Sequence, residues 1–138
     1  MTTAGEFLWP VRVYYEDTDA GGVVYYANYL RFMERARTEW LRALGFEQDR
    51  LAAEGVLFMV ARIAVDYLAP ARFNDRLDVG VRLERLARAS FELSQTVCGP
   101  PAGRTLCRGH VRIACVHSQT LKPRAIPPAI RQEVTREH

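Results

Sequence analysis

Apolar and polar residues alternate along Leu8–Tyr15, with Val11, Val13 and Tyr15 on one side, which predicts a first strand. The period then lengthens. Tyr29, Met33, Ala36, Trp40 and Ala43 or Leu44 recur at helical spacing and predict one long amphipathic helix over Leu30–Leu44. Asn28 suits its N-cap and Gly45 its C-terminal stop, while Arg31, Glu34, Arg35, Glu39 and Arg42 fall off the apolar stripe. A short second helical segment covers Glu47–Glu54 and ends at Gly55.

Beyond Gly55 the pattern is that of strands. Val56–Leu68 is a long apolar one, closed by Ala69-Pro70-Ala71. Leu77, Val79, Val81 and Leu83 then alternate with Asp78, Gly80, Arg82 and Glu84, as in a half-buried strand. Ala89–Cys98 and Thr105–His117 alternate in the same way, with Gly99-Pro100-Pro101-Ala102-Gly103 as the turn between them. A short terminal helix is expected at Ala129–Val134. One long helix followed by a run of strands predicts an α+β fold, a mainly antiparallel sheet of about five strands packed on that helix. No linker or repeat divides the 138 residues, so a single domain over 1–138 is expected.

Composition removes several functional classes. The chain is 49% hydrophobic and 25% charged, ordinary for a globular protein. No apolar run is long enough to span a bilayer. Met1–Glu6 lacks the basic cluster and apolar stretch of a signal peptide. Cys98, Cys107 and Cys115 form no C-x-x-C pair and are odd in number, so a cytoplasmic, thiol-reducing location is expected. The net charge is +3, and Lys122 is the sole lysine among the basic residues. Arginine forks suit phosphate groups, whereas their mixing with acids, as in Arg82-Leu83-Glu84-Arg85, speaks against nucleic acid. His110, His117 and His138 are not at ligand spacing, so no metal is expected.

The chemistry gathers between the first strand and the long helix. Asp17 and Asp19 lie in that turn, and an aspartate is ionised at neutral pH. Gly21 and Gly22 let the backbone approach a ligand, which makes Gly22 and Val23 candidate substrate contacts. Tyr25, Tyr26 and Ala27 then present N–H groups at the helix start, where the dipole also favours negative charge. A carboxylate beside such donors supplies both needs of attack on an acyl carbonyl, a base or nucleophile and an oxyanion site. No G-x-S-x-G elbow offers a rival nucleophile. The same residues also fit a plainer role, since acids ahead of a helix commonly cap it or form the turn. On that view Asp17 is the structural acid and the tyrosines are core or interface aromatics. Residue patterns alone stop at an anion-friendly turn.

Four segments carry a resemblance: Tyr15-Glu16-Asp17-Thr18-Asp19-Ala20-Gly21-Gly22-Val23-Val24-Tyr25-Tyr26, Glu34-Arg35-Ala36-Arg37-Thr38-Glu39, Asp66-Tyr67-Leu68-Ala69-Pro70-Ala71-Arg72, and Leu121-Lys122-Pro123-Arg124-Ala125-Ile126-Pro127. In this order they resemble the hotdog-fold acyl-CoA thioesterases. Within these the chain is most similar to the bacterial branch found with the Tol–Pal genes, related to 4-hydroxybenzoyl-CoA thioesterase. The resemblance spans about residues 10–128. It implies a five-stranded antiparallel sheet wrapped around one long helix, and hydrolysis of an acyl-CoA to free acid and coenzyme A. Asp19 would act as nucleophile or general base, and the backbone N–H of Tyr26 would polarise the thioester carbonyl. Arg88 and Arg124 would meet the coenzyme A phosphates. No cofactor is implied, and homo-oligomers (dimers or tetramers) would place the acyl group and pantetheine arm at a subunit interface.

One position departs from the pattern. The Tol–Pal-associated branch usually has histidine where this chain has Tyr26, as the hydroxybenzoyl enzyme has tyrosine. A phenol is a poor base at neutral pH, so Asp19 would carry more of the proton transfer. Two other readings remain: an acyl-thioester hydratase on the same fold, and a binding protein for acyl carrier protein or an envelope complex. Hydratase sites usually pair histidine with an acid, and no histidine precedes His110.

Overall fold

The computed structural model describes residues 5–136. Met1–Ala4 and His138 of the expectations above fall outside the described residues. The elements run β1 (Glu6–Arg12), a 3₁₀ turn (Tyr15–Asp17), α1 (Asn28–Ala43), α2 (Gln48–Ala53), β2 (Val56–Tyr67), β3 (Arg76–Leu86), β4 (Ser90–Gly99), β5 (Arg104–His117) and α3 (Pro128–Arg136). The strands form one antiparallel sheet in the order β1-β3-β4-β5-β2. This is the α+β hotdog arrangement, a sheet curved around α1.

The sheet wraps because its pleat buries one side only. Leu77, Val79 and Val81 of β3, Phe91, Leu93 and Val97 of β4, and Val111, Ile113 and Cys115 of β5 all point inward. They meet Tyr29, Phe32, Met33, Ala36, Trp40 and Leu41 on α1, which adds Phe32 and Leu41 to the apolar stripe read from the sequence. Register shifts at Val60/Arg62 in β2 and at Leu83/Arg85 in β3 bend the sheet around the helix. Gly109 of β5 allows the close approach, since a Cβ there would lie 3.0 Å from the Met33 side chain. Buried Gln95 ties helix to sheet, with its amide donating to the Met33 carbonyl at 3.0 Å and its oxygen accepting from Arg37 at 2.9 Å.

Two local expectations change. The first strand ends at Arg12, and Tyr15 leaves it for the 3₁₀ turn. Tyr15 is therefore 75% exposed and stacks on Phe73, with ring centroids 3.7 Å apart. Asn28 is the first residue of α1 and Ala27 holds the cap position, because the Asn28 side chain is engaged elsewhere. Gly45 does end the helix, at φ +101°, a left-handed conformation that glycine adopts without strain.

The β2 edge differs from the interior strands. β2 lies at one edge, twelve residues long, with Met59 and Val60 exposed although their neighbours are apolar. Such an edge offers a row of unpaired backbone groups to another strand. No helix among the described residues is long and apolar enough to cross a membrane.

Candidate active site

The turn between β1 and α1 is held by one of its two aspartates and leaves the other open. Asp17 is 5% exposed. One of its carboxylate oxygens accepts the Tyr14 N–H at 2.8 Å and the other accepts the Asn28 side-chain amide at 2.9 Å. Its own carbonyl accepts the Tyr25 N–H at 2.9 Å. Asp17 thus ties the strand end, the turn and the helix start into one unit, the structural role that acids before a helix commonly take.

Asp19 is exposed, and one carboxylate oxygen accepts the Gly21 N–H at 2.8 Å. The second oxygen has no partner among the described residues. The backbone around it is closed: Asp19 N–H donates to the Val23 carbonyl at 2.9 Å, and Gly22 N–H donates to the Asp19 carbonyl at 3.0 Å. Gly22 sits at φ +77°, the conformation that makes this tight return possible without strain. Val23 bridges to Arg72, and Val24 N–H donates to the Ala71 carbonyl at 2.9 Å.

At the helix start, Asn28 N–H donates to the Tyr25 carbonyl at 2.8 Å and Leu30 N–H to the Ala27 carbonyl at 3.1 Å. The N–H groups of Tyr26 and Ala27 have no acceptor among the described residues. They are two consecutive free donors at the positive end of a sixteen-residue helix. Asp19, Gly22 and Val23 share the closed turn, and Tyr26 follows it just before the Ala27 cap of α1.

The segment Asp66–Arg72 packs against the helix start. Tyr67 Oη donates to the Tyr26 carbonyl at 3.1 Å, and Tyr29 Oη accepts the Ala71 N–H at 2.9 Å. The Tyr67 ring packs edge-on against Tyr26 and Tyr29, with centroids 6.2 Å and 5.6 Å away. Cys107 lies under the same cluster. Burial pushes its thiol up to about 11, so it is protonated at neutral pH and no competing nucleophile.

Arg88 and Arg124 lie elsewhere. Arg88 is in the β3–β4 turn, where its carbonyl accepts the Ile126 N–H at 2.9 Å, and Arg124 donates to the Gly55 carbonyl at 3.1 Å. The two arginine segments are therefore neighbours, but at the Val56 end of β2. Tyr26 is at the Tyr67 end. A strand of this length spans on the order of 35 Å, so one chain does not join these arginines to the turn.

A cavity of about 370 Å³ opens between α1 and the sheet, away from the turn. Trp40, Phe58 and Phe91 form its aromatic wall, and Glu34 and Arg37 supply its charged groups. Burial lowers the pKa of Arg37, whose guanidinium is held by Gln95. No metal-holding group of three or more His, Cys, Asp or Glu occurs among the described residues. His110 is engaged with Glu92 at 2.9 Å on the exposed side of the sheet.

Residues 13–134 match the family model of the thioesterase-like superfamily. The acyl-CoA thioester hydrolase YbgC of Escherichia coli is 47% identical over 128 residues, covering 92% of this chain and 94% of that protein. The acyl-CoA thioesterase YbgC of Haemophilus influenzae is 44% identical, covering 91% of each. Among solved structures, a probable thioesterase from Bartonella henselae superimposes with a TM-score of 0.82 at 35% identity, over 88% of this chain and 99% of that one.

Proposed function

The chain belongs to the thioesterase-like superfamily, and on that premise we propose that it hydrolyses acyl-CoA thioesters to a free acid and coenzyme A. The reading is supported by the exposed Asp19 carboxylate in the same β1–α1 connection as the acceptor-free N–H groups of Tyr26 and Ala27. The thioester carbonyl oxygen lies against those donors, which hold the negative charge that develops on it. Asp19 attacks the carbonyl carbon, coenzyme A leaves as thiolate, and water hydrolyses the resulting acyl anhydride. Alternatively, Asp19 takes the proton of a water that attacks directly. Single turnover in heavy-oxygen water separates the routes: label in Asp19 and none in the first acid released marks the anhydride. Thiol release from short, long and aromatic acyl-CoAs tests the function itself, and no release from any of them would overturn it.

Tyr26 contributes through its backbone. The described histidines lie away from the turn, which favours hydrolysis over the hydration chemistry that pairs histidine with an acid. Gly22 and Val23 line the approach to Asp19 with backbone. The acyl group runs along α1 past Leu30 toward the cavity at Trp40 and Phe58. The domain works in the cytoplasm, on coenzyme A thioesters or on the same pantetheine arm of an acyl carrier protein, in the setting of the Tol–Pal-associated branch.

Two copies complete the site. Antiparallel pairing of β2 edges brings the Val56 end of one strand beside the Tyr67 end of the other. Arg88 and Arg124 of one copy then reach the phosphates of coenzyme A bound at the other copy's turn. The long apolar free edge of β2 supports this dimer, and further pairing yields a tetramer. Met59→Lys puts a charge on that edge. It is expected to shift the sedimenting species to monomer and to lower kcat/KM about tenfold or more, the scale of losing one or two charge-assisted contacts. A Met59→Lys protein that sediments as the native assembly does would sink the paired-edge arrangement.

A further inference from the structure

We propose that Tyr67 is a positioning residue for this reaction, its hydroxyl orienting and polarising the peptide between Tyr26 and Ala27 at the oxyanion site. The inference rests on the thioesterase reading. Its starting point is the Tyr26 carbonyl, which precedes the Ala27 cap and so lies outside the helix ladder. Leu30 N–H donates to the Ala27 carbonyl at 3.1 Å, not to Tyr26. Among the described residues the donor on the Tyr26 carbonyl is the Tyr67 hydroxyl, at 3.1 Å and forty-one residues away in sequence. A side chain from the sheet edge therefore supplies the hydrogen bond to a carbonyl that the helix itself does not engage.

That hydrogen bond acts on chemistry as well as on shape. The Tyr26 C=O and the Ala27 N–H belong to one planar peptide unit. A donor on the carbonyl draws electron density through the amide and makes its N–H a stronger donor. It also fixes the plane, so the Ala27 N–H and the adjoining Tyr26 N–H keep their aim as charge develops on the substrate. The surroundings hold Tyr67 for this task. Its ring is wedged against Tyr26 and Tyr29, and the Tyr29 hydroxyl is itself held by the Ala71 N–H. Burial raises the Tyr67 pKa above that of a free phenol, so its proton stays available at neutral and mildly alkaline pH.

The test is Tyr67→Phe, which keeps the ring and removes only the hydroxyl. Turnover of the acyl-CoA that the native chain hydrolyses best is expected to fall roughly three- to tenfold in kcat, the scale of one neutral hydrogen bond. KM should stay within about twofold, because the bond matters most when the oxyanion forms. In an isotope-labelled protein the Ala27 amide proton should move upfield as its peptide loses polarisation. Replacing Tyr67 by 3-fluorotyrosine, a stronger donor of nearly the same shape, should move that resonance downfield. Unchanged kcat with an unmoved Ala27 resonance would overturn the proposal. So would a KM that rises in step with any fall in kcat/KM. Native protein inactive on every acyl-CoA would instead overturn the thioesterase reading, and the Ala27 resonance would still report the hydrogen bond.

Discussion

Asp19→Asn is expected to lower kcat for thiol release from acyl-CoA by about two to four orders of magnitude, with fold and assembly unchanged. The physical case rests on how little the structure asks of this carboxylate. Among the described residues its carboxylate accepts one hydrogen bond, from the Gly21 N–H, and an asparagine oxygen accepts it equally well. Asp19 is exposed, so the substitution creates no buried orphan. What disappears is the negative oxygen that in the proposed mechanism attacks the carbonyl or takes a proton from water. The free donors at Tyr26 and Ala27 remain, and residual rate over water is expected from them alone. Steady-state thiol release with a matched melting curve checks the point. Equal turnover in the two proteins would remove Asp19 from the mechanism.

Asp17→Ala should act the other way, through stability. Alanine leaves the Tyr14 N–H and the Asn28 amide without their acceptor in a buried place. The expected loss is roughly 2–3 kcal/mol, because both bonds are to a charged group and at least one donor stays buried and unsatisfied. Urea denaturation should show a lower midpoint at an unchanged slope. Activity should fall as well, since the same carboxylate anchors the Tyr14 strand end to the Asn28 helix start. An unchanged midpoint would mean that water replaces the carboxylate without cost, contrary to the burial of Asp17. The two acids stand two residues apart in one turn. The contrast between them is a contrast of burial: the enclosed one holds the backbone, the open one is free to react.

Much of this was legible in the chain. The helical period around Tyr29–Trp40 and the alternation at Leu77–Val81 record which side of each element is buried, and burial is what the sequence pattern encodes most directly. Gly45 and Gly55 announced the helix ends because only a residue without Cβ adopts their positive φ without strain. Asn28 misled as a cap. Its identity suits a helix start, but its amide serves the Asp17 carboxylate instead, a choice between two local partners that composition does not distinguish. Tyr15 misled in the same way, since alternation continued past the point where the strand stops.

The linear chain by itself determined the elements, their apolar faces, and the concentration of acids, glycines and free N–H groups between β1 and α1. Those are properties of neighbours in sequence, set by backbone geometry and by the side chains within a turn or two. Only the tertiary structure decided which acid is enclosed, that Tyr67 supplies the donor at Tyr26, and that Arg88 and Arg124 stand at the far end of β2. These depend on strand order and register. Contacts between residues forty or more positions apart form only when the sheet closes around the helix, and no local pattern carries that information.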